Sequence, residues 1–441
     1  MSCPSLTRFR KHLRAVPALC WMLIALVAWS QPAAAQSREL QRPVVRASEV
    51  EDLVRFLKLD EAESDLVRSL FQGYLTVHMA ASKEWVSRTR ALAESLQAGG
   101  DRDAFQVSMA EFLREWREKR QRIAADFFEN CKALLTPEQL SAWPIYERDR
   151  RRRSNLPAGA FFAGEGVDVA ALVDELELDD SLVSAVAPLV EAYCTEIDAL
   201  LVRRMAASKE ARELDLSIQL TDIDGWFAAC LRAFDIRRQI RDSNRKHLEL
   251  MATTVPGDVS DKLRDKFNRA SHPHYFAPTQ ADAYFERLRS LEDLTDDQRR
   301  GIESIVSAFQ DQVGAINLRL VRLENEIEEV LSRLTNQRHP FVIGLVAGNA
   351  ALADMPFEDA PESWRAQDVL IDDSQFEKHE GLLSQKRGYV IAAIEQSWNV
   401  LTPAQQTLMP IEDIPLESKQ RTRTKTIRTG MLENLRAVYE R

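Results

Sequence analysis

The chain has 441 residues, with 58 Lys and Arg against 68 Asp and Glu and a net charge of −10. That balance excludes strong nucleic-acid binding as a global property, because polyphosphates need an excess of positive charge. Five cysteines are too sparse for a disulfide framework, and no segment after residue 35 is long and apolar enough to cross a bilayer.

Residues 1–35 read as a cleaved signal peptide. Arg8, Arg10, Lys11 and Arg14 form a basic stretch with no acid, and Ala18 to Trp29 form an apolar core too short for a spanning helix. Ala33-Ala34-Ala35 supplies a small-residue cleavage site before Gln36. The mature chain is therefore expected in the periplasm or secreted. The alternative is an uncleaved anchor through Trp21 to Trp29. Cleavage leaves 54 basic residues against 68 acidic ones, a net of −14, and three cysteines, Cys131, Cys194 and Cys230. All three fall in helical patterns. Buried thiols are expected, with a Cys194–Cys230 bridge as the alternative.

One landmark then recurs. Leu59-Asp60, Leu178-Asp179 and Leu294-Thr295 are each followed fifteen residues on by an aromatic: Tyr74, Tyr193 and Phe309. The starts lie 119 and 116 residues apart, so the repeated unit is domain-sized. Sustained strand alternation is missing. The expected fold is all-α: three tandem long antiparallel helical hairpins, coiled-coil-like and elongated. The units span 47–157, 165–256 and 279–415, the third carries an insertion at 338–364, and a basic tail follows at 416–441.

In unit one, Leu66, Leu70, Tyr74 and Val77 lead to a turn at Gly99-Gly100. Phe105, Met109, Phe112, Trp116, Ile123, Phe127 and Leu134 mark the return. Unit two runs out through Val183, Val186, Val190, Tyr193 and Ile197, with a kink or helix start expected at Pro188. It returns through Phe227, Leu231, Phe234 and Ile240. Linkers are expected at Ser154 to Gly166 and Val255 to Pro278. Unit three has the clearest pattern. Ile302, Val306, Phe309, Val313, Ile316, Leu320, Leu323, Ile327, Val330 and Leu334 alternate steps of four and three, which keeps one stripe facing a partner helix. Arg319, Arg322, Glu324, Glu326, Glu328 and Glu329 lie off that seam. The return stripe is Phe376, Leu383, Val390, Ile394 and Leu401.

Three segments read Leu-Thr-x-x-Gln: Leu135 to Gln139, Leu294 to Gln298 and Leu401 to Gln405. Read as residues, this is a helix start, with Thr as N-cap and Gln closing a capping box. With the signal peptide and the helical pattern, it also resembles the Leu-Thr-x-x-Gln (Spy/CpxP-like) periplasmic family. That resemblance covers 15 to 30 residues at a time. It implies a helical envelope protein tied to stress and to the chaperoning of unfolded clients.

Phe341, Val342, Ile343, Leu345 and Val346 form an apolar, glycine-bearing run inside the third hairpin. An exposed run of that kind marks a protein-binding surface, the alternative being a short helix folded back on its own hairpin. His272-Pro273-His274 offers two metal ligands, with Asp282 or Glu286 near enough in sequence to complete a set. Two basic runs, Arg148 to Arg153 and Lys419 to Arg428, either bind anionic polymers or pair with acidic helix faces. Nucleotide-binding, hydrolase-elbow, zinc-protease and CxxC signatures are missing. The expectation is an exported, non-enzymatic, cofactor-free interaction protein, chaperone-like toward protein clients, and monomeric or weakly dimeric. The alternative is a structural spacer or scaffold of the envelope.

Overall fold

The structure, a computed structural model, describes residues 41–158, 162–216, 223–336 and 373–411. The expected signal peptide (1–35), the segment Phe341–Val346 and the tail at 416–441 lie outside the described residues. Every regular element among the described residues is helical, and none of these helices is long and apolar enough to cross a membrane. The chain falls into two compact units, 1–152 with 208–229, and 153–207 with 230–441.

The first unit opens with α1 (Ala47–Phe56), which buries Val50 and Leu53. The chain turns through Lys58, whose φ is 51°. It enters α2 (Glu61–Gln97) at Asp60, where a capping box with Glu63 satisfies two end amides. Along α2 the buried positions are Ser64, Val67, Phe71, Tyr74, His78, Ala81 and Trp85, again alternating three and four. This corrects the face read from sequence, since Leu66 and Val77 are 53% and 54% exposed. A histidine and an alanine sit within the true stripe and dilute its apolar signal.

After Gly99, whose φ of +90° suits glycine, α3 (Arg102–Lys132) runs back antiparallel to α2. Phe71 meets Phe127 at 6.0 Å between ring centroids, and Trp85 stacks on Trp116 at 5.5 Å. Each such ring contact adds about 0.5–1.5 kcal/mol beyond its area. Cys131 is fully buried in this core. α4 (Pro137–Asn155) starts at Thr136 and packs Trp143 and Tyr146 into the same core. Gln139 on its first turn donates to Glu63 Oε2 at 2.9 Å, so the caps of α2 and α4 are joined.

In the second unit, α5 (Val169–Asp174) precedes a turn through Glu177, at φ 49°, and Asp179, whose side chain accepts from the Leu182 amide at the start of the next helix. That helix, α6 (Asp180–Leu216), continues through Pro188. α7 (Ile223–Ala252) shares a core with it: Tyr193, Ile197 and Leu201 meet Ile240 and Met251, all under 1% exposed. Tyr193 Oη accepts from the Val169 amide at 3.1 Å, as Tyr74 Oη accepts from the Val45 amide at 3.0 Å in the first unit. The two tyrosines that mark the sequence repeat thus do the same work, pinning the backbone at the start of the preceding short helix. In the third copy Phe309 has no hydroxyl and packs edge-on against Phe285.

The expected linker at 255–278 is helical. α8 (Gly257–Ser271) buries Leu263 and Phe267 in the α6–α7 core, and α9 (Pro273–Phe276) follows with Pro273 in its first turn. Ser260, Leu263, Phe267 and Ser271 carry the inward face, and its two serines weaken the pattern in sequence.

α10 (Gln280–Arg289) and α11 (Asp296–Asn336) lead to α12 (Asp373–Asn399) and α13 (Pro403–Leu408). Seam residues Ile302 through Ile327 are all 8% exposed or less. The proximal ones pack against Ala393, Ile394 and Leu401.

Candidate functional site

An isolated carboxylate is costly to bury, so a buried Asp or Glu must be held by donors. Helix α11 carries two, one turn apart: Glu324 and Glu328 are 2% and 1% exposed. Sequence periodicity put both off the apolar seam, yet neither faces water. Each fastens a segment distant in the chain.

Glu328 Oε1 accepts from the Ala163 amide at 2.7 Å. Its other oxygen faces Arg241 and Arg245 of α7 at 3.7 and 3.5 Å. Burial, the largest cause, lowers the Arg245 guanidinium below its ordinary range. The segment held here, 162–167, is tied from a second side by Asn244 Nδ2, which donates to the Gly164 and Val167 carbonyls at 2.7 and 2.9 Å. Glu165, fully buried, pairs with Arg204 at 3.1 Å and with Arg237 at 3.5 Å. Gly164 has φ +86°, and a Cβ there would lie 2.8 Å from the Phe267 ring. A glycine is needed at that point.

Glu324 Oε2 lies 2.8 Å from His272 Nδ1 and 3.4 Å from His274 Nε2. The His272 and Glu324 side chains are 2% and 3% exposed, whereas His274 keeps 18%. Tyr275 stacks on His272 with centroids 5.9 Å apart, and its hydroxyl lies 2.8 Å from His379 Nε2 on α12. Lys386, two turns further along α12, donates to the Tyr275 carbonyl at 2.5 Å. Burial holds Lys386 down to about 8 and His379 below its usual value, with Asp282 acting in the opposite sense on the lysine. Three side chains, Glu324 of α11 and His379 and Lys386 of α12, thus converge on the stretch 272–275.

The histidine pair singled out in the sequence is therefore brought together, though on a carboxylate unforeseen there. The two acids nearest in sequence do other work: Asp282 caps α10 through Thr279, and Glu286 pairs with Arg289. Among the described residues no group of three or more His, Cys, Asp or Glu is arranged to hold a metal ion. In the first basic run, Arg150 lies over the Phe128 ring at 4.2 Å and Arg152 pairs with Asp149 at 2.6 Å. These arginines pack onto their own unit. Among the described residues, Cys131, Cys194 and Cys230 are thiols.

Comparison of the chain with protein-family models, curated proteins and solved structures gives no match.

Proposed function

We propose that this chain is an exported, non-enzymatic helical interaction protein. In this reading three tandem antiparallel hairpin units, 47–157, 165–256 and 279–415, carry the apolar run Phe341–Val346 to protein partners, unfolded chains among them. The observation that supports it is the burial of the α11 seam within its own chain, from Ile302 at 2% exposure to Ile327 at 1%. A scaffold assembled through that seam would need it open to a second chain. With the seam occupied, this reading assigns binding to the apolar run between α11 and α12.

Binding by such a run is reversible burial of apolar area, at about 25 cal/mol per Å² removed from water. The acidic mature chain would keep a complex with an exposed client soluble. A chain with its seams closed internally is expected to be monomeric or a weak homodimer.

The test is suppression of client aggregation. Mature protein from Gln36 is mixed with a thermally unfolding client, beside a variant with residues 341–347 replaced by Gly and Ser. Suppression by the parent and its loss in the variant support the reading. An inactive parent removes it and returns the scaffold to the front.

A further inference from the structure

We propose that the outward face of α2 is a weak self-association surface, on which a second copy of this chain docks antiparallel about a twofold axis at Gly73. Residues 69–82 contain no Lys, Arg, Asp or Glu, in a chain where 29% of residues are charged. The core takes one side of that stretch, through Phe71, Tyr74, His78 and Ala81. A different line of the helix, Ala62, Leu66, Leu70, Gly73, Val77 and Ala80, steps by three or four without a charge. It faces outward: Leu66 and Val77 are each more than half exposed, Leu70 is half-buried, and Ala62, Gly73 and Ala80 are exposed. An outward helix face normally carries charge, and a continuous apolar one marks an interface.

Charge and shape identify the occupant. Asp65 and Lys83 bound the face. They stand eighteen residues apart, five full turns, so both lie on one edge of it. Both are exposed, and the link from Asp65 to Arg68 is long, at 3.5 Å. Midway between them are Gly73 and Tyr74. A twofold axis there sets Asp65 of one copy beside the partner's Lys83, twice, whereas parallel pairing would set like charges together. The same axis brings Leu66 over the partner's Ala80 and Leu70 beside the partner's Val77. At Gly73 an added Cβ would meet nothing within 4 Å, so two backbones can approach closely at the crossing. Thr76 donates its hydroxyl to the Gln72 carbonyl at 3.0 Å, and Arg68 is turned to Glu51 of α1 by two bonds of 3.0 Å, so neither competes for the face.

The repeat supplies a comparison. The equivalent line of α6 has Ser184 and Val202 at the two charged positions and Glu196 at that of Val77. On α11 the same three positions hold Arg300, Leu318 and Gln312. The set therefore belongs to α2 and is not a by-product of the repeated hairpin. The face runs about 27 Å and is one helix wide, so a pair buries less than the roughly 1,200 Å² of a stable interface. The dimer is weak and exchanging, in keeping with a chain whose seams close internally. It does not involve residues 341–346, and its test uses no client.

Sedimentation equilibrium of the chain from Gln36, at about 5 to about 300 µM, tests the face. The parent should show a monomer–dimer equilibrium with a Kd of about 10–100 µM. Val77→Glu, at an exposed site outside the core, should weaken it about tenfold or more. Lys83→Glu should weaken it about fivefold, and adding Asp65→Lys to that variant should return it to within about threefold of the parent. Oxidative cross-linking reads the register, with the parent as the blank for Cys131, Cys194 and Cys230. Gly73→Cys should join to its own copy, whereas Ser87→Cys, about 40 Å from its counterpart in the antiparallel pair, should not. A parent that stays monomeric at about 300 µM would overturn the proposal. So would a Val77→Glu dimer as strong as the parent's, a charge swap that restores nothing, or Ser87→Cys joining as readily as Gly73→Cys.

Discussion

Gln298 and Gln405 meet side chain to side chain, Nε2 to Oε1 at 2.9 Å, although 107 residues separate them. Each also closes the capping box of its own helix, on Thr295 and Thr402. Gln405 Nε2 reaches on to the Asp293 carbonyl at 3.1 Å, and Gln298 Nε2 to the Val400 carbonyl at 3.0 Å. The repeated Leu-Thr-x-x-Gln segments are thus paired caps that tie the start of a long helix to the helix after its return. Glu63 and Gln139 do the same in the first unit.

Gln405→Ala should therefore cost about 2 kcal/mol, since it removes a cap and leaves buried groups without their partner. Gln139→Ala, at a half-buried site, should cost about half as much. Urea unfolding midpoints at constant slope measure both. Equal small effects at the two sites would sever the link between burial and cap strength.

The tyrosine pins differ in depth. Tyr193 is fully buried and also donates to Asn244 Oδ1 at 3.1 Å, whereas Tyr74 is 5% exposed. Tyr193→Phe should cost about 1–3 kcal/mol and more than Tyr74→Phe, because a hydroxyl lost in a dry core orphans the amide it held. A Tyr193→Phe protein as stable as its parent would show that Val169 finds another acceptor.

Gly164→Ala should destabilise by about 2 kcal/mol or more. The substitution adds strain at positive φ to a clash with the Phe267 ring. Calorimetric melting checks it, with Gly314→Ala as the control, since a Cβ there meets nothing within 4 Å. Equal melting temperatures for the two variants would contradict the packing described for residues 162–167.

Burial pushes the Cys131 thiol up to about 12, so almost no thiolate exists at pH 8 in the folded chain. Its reaction with a thiol reagent should be limited by unfolding, and raising the pH from about 7 to about 9 should not produce the tenfold-per-unit acceleration of an exposed thiol. Mass spectrometry of the Cys131 peptide after brief labelling reads this out. Rapid native labelling would mean that the α2–α3 core opens.

Much of this was legible in sequence. The α11 seam could be read because Ile302 to Ile327 are all apolar at helical spacing, and the caps because Thr and Gln stand three apart. The α2 face was missed because His78 and Ala81 occupy its middle. Glu324 and Glu328 were missed for a different reason. A glutamate between seam positions reads as solvated, and its burial depends on donors 52 and 165 residues away. Periodicity reports the face of one helix and is silent on what covers it.

The most direct measurement is photo-crosslinking of the mature chain with a diazirine side chain at Ile343 or at Leu320, in the presence of an unfolding client. Client adducts from Ile343, with none to client or to a second copy from Leu320, are the expected result. Copy-to-copy adducts from Leu320, with no client captured at Ile343, would contradict the proposed function and place the seam between chains.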